Sequence, residues 1–463
     1  MRNGSDPDRP GIYSYGERGS RIMRITLIYP SSRKTWNRAP EKRRSRFHMF
    51  PGLGLLTLAA LSPPEAEIRV IDDEYEDIDT EQPADLVGIS VLTSNAYRAY
   101  EISREFRERH VPVVLGGMHP TACPEEAVSH ADAIVQGEAE GVWAGLLEDL
   151  GHGNLKKIYR SRNSSDLSNR PFPRRDLLNL SHYTMPNTIQ ASRGCPMNCE
   201  FCSMASLFGT RTRFRPVEEV VEEIKSLKGS VFLLNDDNIA QNFDYYKSLF
   251  MRLIPLKKRW VGEASWNIIQ DPGLLELIQK SGCICLHIGF ESLYPQDGLP
   301  KTRHVDNIPG LYRRVVRILH ERGICVFGAF VFGFDNEKPD VFDKTLRFAV
   351  ESHMEIGQFN IQTPYPGTRL YTRLKKEGRL LEKDWSRYFS YHLCYQLKTM
   401  SSSYFLENLF RLKQEFFRMS SIGKRLWYAR GRTSLYEKLC LAGINLGYRQ
   451  SLQSDALPGR SVS

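Results

Sequence analysis

Cys195, Cys199 and Cys202 fall within eight residues, in the run Arg193-Gly-Cys-Pro-Met-Asn-Cys-Glu-Phe-Cys202. Thiolate is the ligand that iron–sulfur clusters use, and three thiolates hold three irons of a cubane while the fourth stays open. One open iron turns an electron carrier into a site that binds and reduces a small molecule. Three such cysteines are also candidate ligands of a structural zinc, which closes four positions and draws on a second Cys or His pair. No such pair stands near the motif; Cys283 and Cys285, one residue apart in an apolar, strand-like run, read as core.

The spacing of three residues and then two resembles that of the radical S-adenosylmethionine (SAM) enzymes. The resemblance implies a [4Fe-4S] cluster held by Cys195, Cys199 and Cys202. Its open iron would chelate the amino and carboxylate groups of SAM, and an electron would cleave the sulfonium to a 5′-deoxyadenosyl radical. A reductant such as flavodoxin or ferredoxin is then implied as a partner. Phe201 stands where the family has an aromatic residue whose backbone meets the adenine, although its side chain can equally pack.

The elements that position these groups show as alternating runs. From 189 to 375, strand-like segments at Thr188–Ser192, Val231–Leu234, Val261–Trp266, Cys285–Phe290, Cys325–Phe332 and Gln358–Thr363 alternate with helical ones. Six strand–helix units, against the usual eight, predict a partial (β/α)6 barrel of the radical SAM type with functional residues at the strand ends. Asn235-Asp-Asp-Asn238 ends the second strand, where the family carries a Gly-Gly-Glu-like segment for the methionyl ammonium. Asn235, Asp236 and Asp237 offer acceptors suited to a cation, and a helix cap before Phe243 would claim only one of the four polar residues. Ser265 and Asn267 are candidates for the ribose hydroxyls or the SAM carboxylate. Glu291 is a catalytic candidate that binds SAM or substrate. Arg303, Gln362, Tyr365 and Arg369 are candidate substrate contacts, though isolated polar residues are more often surface or capping groups.

Residues 22 to 150 carry a second alternation, with strands at Ile25–Tyr29, Glu67–Ile71, Asp85–Val91, Val111–Leu115 and Ala133–Val135 and an amphipathic stretch from Ala96 to Arg109. This rhythm predicts a Rossmann-like, doubly wound parallel sheet that binds its ligand at the strand ends. Those ends carry Ser90, Thr93, Gly116, Gly117, His119, Gly137 and Glu138. A dinucleotide fingerprint fails, because Thr57 stands in place of the third glycine after Gly52-Leu-Gly54 and some twenty residues separate Tyr29 from Gly52. The stretch is similar instead to the cobalamin-binding-type domain preceding many radical SAM barrels. That similarity lies in Pro51–Leu56, Val70-Ile-Asp72, Gly88-Ile-Ser90, Leu115-Gly-Gly-Met-His-Pro120 and Gln136-Gly-Glu138. It implies cobalamin on the seven residues above, but the Asp-x-His-x-x-Gly motif that gives cobalt a histidine in other B12 proteins is missing. His119 is an axial-ligand candidate, and also an ordinary turn residue.

The whole is expected to be an α/β chain: N-terminus 1–21 disordered, cobalamin-type domain 22–150, linker 151–188, radical SAM barrel 189–375, helical extension 376–450 and disordered tail 451–463. At 463 residues with 41% hydrophobic and 25% charged residues, the composition is globular. No apolar run has transmembrane length and no signal-peptide core precedes Arg24, so a cytoplasmic protein is expected. Nine cysteines, three in one motif, fit a reducing compartment. The net charge of +9 is concentrated after 401, where ten Lys or Arg face four Asp or Glu and alternate with Phe410, Phe416, Phe417, Trp427 and Tyr428. Such a stretch suits nucleic acid or an anionic membrane, but more often it is a solvated helical face. No base-stacking motif supports RNA.

The resemblance implies cobalamin-dependent methylation of an unactivated carbon, one SAM supplying the methyl group through cobalamin and another the radical. The alternative is a radical SAM dehydratase, cyclase or rearrangement enzyme that does not use cobalamin, since fold does not settle reaction. A non-enzymatic iron–sulfur or nucleic-acid-binding protein would lack a use for the polar strand ends. The substrate is expected to be a small molecule; lipids, tetrapyrroles, sugars and secondary metabolites all suit the architecture.

Overall fold

The computed structural model describes residues 22–32, 50–161, 166–296, 298–299, 305–429 and 434–455. Residues 1–21, Arg303 and 456–463, all named above, lie outside the described residues. The chain divides into two compact units, the first dominated by residues 52–166 and 170–182 and the second by 183 onward.

In the first unit, β1 (Arg24–Tyr29), β2 (Glu67–Asp72), β3 (Leu86–Ser90), β4 (Val113–Gly116), β5 (Ala133–Gln136) and β6 (Ile158–Arg160) form one sheet in the order β2-β1-β3-β4-β5-β6. All its pairings are parallel. Parallel strands are covered on both faces, which is why β3 is buried from Leu86 to Ile89 and reads as a continuous apolar run. Helices α1 (Gly54–Leu61), α2 (Ala96–Glu108) and α3 (Trp143–Gly151) belong to the connections. α2 buries Ala99, Ile102, Ser103 and Phe106 at helical spacing. The order reverses direction between β1 and β3, the kind of crevice where such sheets take ligands.

The expected linker is partly wrong. Ile158-Tyr-Arg160 pairs with β5 as the sheet's edge strand, and residues 170–182 belong to the same unit. Three residues are too few for an alternation to announce a strand.

In the second unit, β7 (Thr188–Ile189), β8 (Ser192–Arg193), β9 (Arg213–Phe214), β10 (Val231–Leu234), β11 (Arg259–Ser265), β12 (Cys283–Glu291), β13 (Cys325–Phe332) and β14 (Ile356–Ile361) follow in turn. Six of them form a parallel sheet in the order β14-β13-β12-β11-β10-β7, and β8 and β9 make a separate antiparallel ribbon. The single strand expected at 188–192 is therefore broken after Ile189. Helices α4 (Val217–Ser226), α5 (Phe243–Leu253), α6 (Pro272–Lys280), α7 (Ile308–Glu321) and α8 (Val341–Glu351) connect successive strands. Asn242, Asp271 and Asn307 cap three of them, each accepting from a first-turn amide.

Strand periodicity gives the sheet two chemically different faces. On β12, Leu286, Ile288 and Phe290 are buried in the core shared with the helices, while Cys285, His287, Gly289 and Glu291 point the other way. This second, inner face carries the polar candidates.

α9 (Arg369–Lys376), α10 (Ser402–Phe416), α11 (Met419–Tyr428) and α12 (Leu435–Asp455) complete the unit. Leu426, Leu441, Ile444 and Tyr448 cover Cys285, Cys325, Phe327 and Ile356, closing the inner face at the strands' N-terminal halves. Arg425, expected on a solvated face, is 1% exposed and donates to the carbonyls of Met354, Glu355 and Phe416 and to Asn445. α12 also runs to Asp455, past the expected start of the tail at Ser451, because Leu452 packs against the core one turn beyond Tyr448. Among the described residues no helix is long and apolar enough to cross a membrane.

Candidate functional site

The cysteine loop spans the gap between β8 and β9, and the pairs Ser192↔Phe214 and Arg193↔Arg213 close its base. Gly194 begins it at φ 91°, where an added Cβ would stand 2.6 Å from the Arg211 carbonyl oxygen, so only glycine fits. The Cys202 amide donates to the Cys199 carbonyl at 3.1 Å, folding the last four residues of the motif into a turn. All three cysteines are half-buried. Burial raises the Cys202 thiol, while the amides of Met204 and Ala205 favour its thiolate.

Among the described residues no three His, Cys, Asp or Glu side chains converge on one metal-ion position. A cubane spreads three thiolates over three separate irons, so its ligands need not converge on one ion. Three half-buried thiols on one loop, one of them already facing amide donors, are a donor set that suits the cluster.

The end of β10 separates neighbours that look alike in sequence. Asp236, expected at SAM, is in phase with Phe232 and Leu234 and lies on the helix side, 1% exposed. One of its oxygens accepts the amides of Ala191 and Ser192 at 2.7 and 2.9 Å, and the other takes the Tyr246 hydroxyl at 2.7 Å. Burial raises its carboxyl to about 6 against those donors. Asp236 thus fixes the break between β7 and β8, the point from which the cysteine loop departs. Asp237 points to the opposite face and accepts the Gly194 amide at 2.9 Å; burial raises it too. Asn235 is half-buried on that inner face, its amide bonded to the Ile189 carbonyl.

Ser265 and Asn267 are bonded to each other, and Asn238 ties Ser265 to the end of β10. The Asn238 side chain accepts the Ser265 amide and donates to its hydroxyl, both at 3.0 Å. Ser265 in turn bonds Asn267, which donates to the Ala240 carbonyl at 2.9 Å. Ser265 is buried, so its role is to brace the ends of β10 and β11. Glu291 sits at φ 63° on a bulge between β12 and β13, a left-handed conformation that costs a non-glycine residue about 1–3 kcal/mol and recurs at functional sites. The Tyr312 hydroxyl holds the preceding carbonyl, that of Phe290, at 2.7 Å.

The Phe201 ring packs edge-on to Phe334 at 6.1 Å. Gln362 is buried and accepts the Tyr395 hydroxyl at 3.1 Å, Tyr365 is half-buried, and Arg369 reaches the Asn198 carbonyl in the cysteine loop. Sequence reading passed over an inner-face trio: His287 lies 3.7 Å from Glu263 through Nδ1 and 3.2 Å from Gln358 Oε1 through Nε2. Burial would lower the imidazole's pKa, but Glu263 and Glu291 raise it above its ordinary value. The signal was available, because Glu263 is two residues before Ser265 and so shares its face.

In the first unit, Ser90, Thr93, Gly116, Gly117, Gly137 and Glu138 all cluster at the C-terminal ends of β3, β4 and β5. Gly117, at φ 104°, lies so close to Val91 that a Cβ would come within 2.9 Å of its carbonyl oxygen. The Gly137 amide is held by the Thr121 hydroxyl at 3.0 Å. Ser90, Gly116, Gly117 and Gly137 are half-buried at these ends, where glycine lets a ligand approach the backbone, while Thr93 and Glu138 are buried, 5% and 6% exposed. His119 differs: it is 0% exposed, with Nε2 3.1 Å from the Tyr100 hydroxyl and 3.4 Å from Glu126. That nitrogen is engaged inside the unit.

Comparison with known proteins follows the same division. Residues 189–349 match the radical SAM superfamily and residues 55–147 the B12 binding domain. The chain is 31% identical to bacteriochlorophyllide d C-12(1)-methyltransferase of Chlorobaculum tepidum over 85% of its own length and 90% of that protein's. It is likewise 31% identical to bacteriochlorophyllide d C-8(2)-methyltransferase of the same organism, over 75% and 80%. The radical SAM methyltransferase TsrM from Kitasatospora setae, solved with cobalamin and a [4Fe-4S] cluster bound, shares the fold at a TM-score of 0.63, with 17% identity and coverage of 77% of this chain and 75% of that one.

Proposed function

We propose, because this chain belongs to the radical SAM enzymes that carry a B12-binding domain, that it methylates an unactivated carbon of a tetrapyrrole-class small molecule. The observation that carries the reading is the 31% identity to a tetrapyrrole methyltransferase across 90% of that protein's length. When bound, the cluster supplies the electron that splits SAM to a 5′-deoxyadenosyl radical, and cobalamin carries the methyl group.

The chain's own residues have distinct tasks in this reading. Cys195, Cys199 and Cys202 hold the cluster, and Gly194 and Asp237 set the start of their loop. Asn235, Asp237 and Glu291 face SAM or substrate from the inner face, and Asp236, Ser265 and Asn267 support them from behind. Ser90, Thr93, Gly116, Gly117, Gly137 and Glu138 cradle the corrinoid. α11 and α12 cover one end of the inner face and keep water from reactive intermediates. SAM cleavage alone consumes one electron, so a flavodoxin- or ferredoxin-type donor belongs to the reading.

The test is anaerobic purification with corrinoid supplied, cluster reconstitution, and incubation with a chemical reductant or reduced flavodoxin, trideuteromethyl-labelled SAM and bacteriochlorophyllide d, beside a Cys199→Ala control. Bound corrinoid with a labelled methyl group on the tetrapyrrole is the expected result. SAM cleavage by a protein that takes up no corrinoid would sink methyl transfer in favour of cyclase or dehydratase chemistry.

A further inference from the structure

The cysteine loop is gripped from a segment more than a hundred residues away. Glu200, between the second and third cysteines, receives Arg373 Nε at 2.6 Å and Nη2 at 3.2 Å. The remaining nitrogen, Nη1, donates to Asp335 at 2.7 Å and Glu377 at 3.2 Å. Arg379 bonds the same two carboxylates, each at 2.7 Å, and Lys398 approaches Asp335 at 3.2 Å. Backbone contacts run in parallel: the Leu370 amide donates to the Glu200 carbonyl at 3.0 Å, and Arg369 reaches the Asn198 carbonyl. Phe201 adds an apolar contact with the Leu370, Leu374 and Tyr395 cluster.

Within the ion-pair network Glu200, Asp335 and Glu377 balance Arg373, Arg379 and Lys398, and Arg369 adds one further positive charge at the Asn198 carbonyl. The network's central contact is a two-pronged guanidinium–carboxylate pair, a geometry that lysine cannot reproduce. The turn it holds contains two of the three thiolates.

We propose that Arg373 is a positioning residue for the cluster: by gripping Glu200 it fixes the Cys199–Cys202 turn to α9, and so sets how firmly the cluster is held and how easily it is reduced. This rests on the reading that the three cysteines hold an iron–sulfur cluster. Groups behind metal ligands typically change metal retention by about 10–100-fold when lost. Removing Arg373 also strands a negative charge beside the cluster, which disfavours adding an electron.

Wild type, Arg373→Ala, Arg373→Lys and Glu200→Gln, each reconstituted anaerobically, are compared for bound iron and sulfide, rate of iron loss to a chelator, EPR spectrum after reduction, and midpoint potential, with thermal unfolding recorded alongside. Both Arg373 variants should lose iron about tenfold faster or more. The alanine variant should also shift to lower potential, while lysine, which keeps the charge, holds the potential near wild type. Glu200→Gln leaves Arg373 on Asp335 and Glu377 and should still speed iron loss, with its potential raised. If Arg373→Ala fails to fold, the other two variants decide. Wild-type retention, EPR and potential in Arg373→Lys and Glu200→Gln would overturn the proposal. A wild-type protein that binds no iron would overturn the cluster reading itself, and this proposal with it.

Discussion

The Tyr246 hydroxyl, on α5, donates to the buried Asp236 carboxylate at 2.7 Å, and Asp236 in turn holds the backbone from which the cysteine loop leaves. A charged acceptor inside a core depends strongly on each donor that remains.

Tyr246→Phe should therefore cost about 1.5–3 kcal/mol at pH 7, where Asp236 is ionised. Asp236 is raised from 3.8 to about 6, so folding takes up a proton between those values and its contribution to stability declines as pH rises through that window. At pH 5 the folded carboxyl is mostly protonated, and the cost of losing the tyrosine hydroxyl should shrink. Denaturant unfolding of both proteins at the two pH values checks this; an equal cost at both would contradict an ionised Asp236 at pH 7.

Glu337 offers a second titration. It is 1% exposed, accepts the Gly333 amide at 2.7 Å, and burial raises it to about 8 even though that amide and the Phe334 amide favour its ionised form. Folded Glu337 keeps its proton where the unfolded residue, near 4.5, has lost it. Stability should fall by on the order of 1.4 kcal/mol per pH unit between those values, levelling above the upper one. Glu337→Gln keeps an acceptor for Gly333 without the charge, so it should flatten that slope and be more stable than wild type at pH 8.5. Unfolding midpoints at pH 5.5 and 8.5 that decline equally in both proteins would rule the carboxyl out.

What was legible in the sequence was local. Three cysteines in eight residues announce their chemistry without any tertiary context, and runs such as Val231-Phe-Leu-Leu234 announce buried parallel strands. Asp236 and Asp237 were separable in principle, since strand phase sends consecutive side chains to opposite faces, but they were read as one acidic end. The basic stretch after 401 was read as a solvated face because charge usually is, yet Arg425 within it is buried on the carbonyls of Met354, Glu355 and Phe416. The pairs Glu200–Arg373 and His287–Gln358 depend on long-range packing and strand register that no spacing in the sequence displays.

Register gives the last prediction. Glu263 and His287 are cross-strand partners on the inner face, and the Gln358 side chain reaches His287 diagonally from β14. Burial opposes protonation of His287, and Glu263 and then Glu291 overcome it, with Gln358 accepting a hydrogen bond from the charged ring. A histidine raised in this way adds stability that is complete below its unfolded value of 6.5 and is lost as pH rises through the higher folded value. Glu263→Gln removes the largest favourable cause, so the His287 resonances in a histidine-labelled NMR titration should move to a lower midpoint. Because this trio lies on the face assigned to SAM and substrate, the alkaline limb of the methylation rate should move to lower pH with it, while bound iron stays unchanged. A shifted NMR midpoint with an unshifted rate profile would leave the imidazolium a structural role only; an unshifted midpoint would remove Glu263 as its cause.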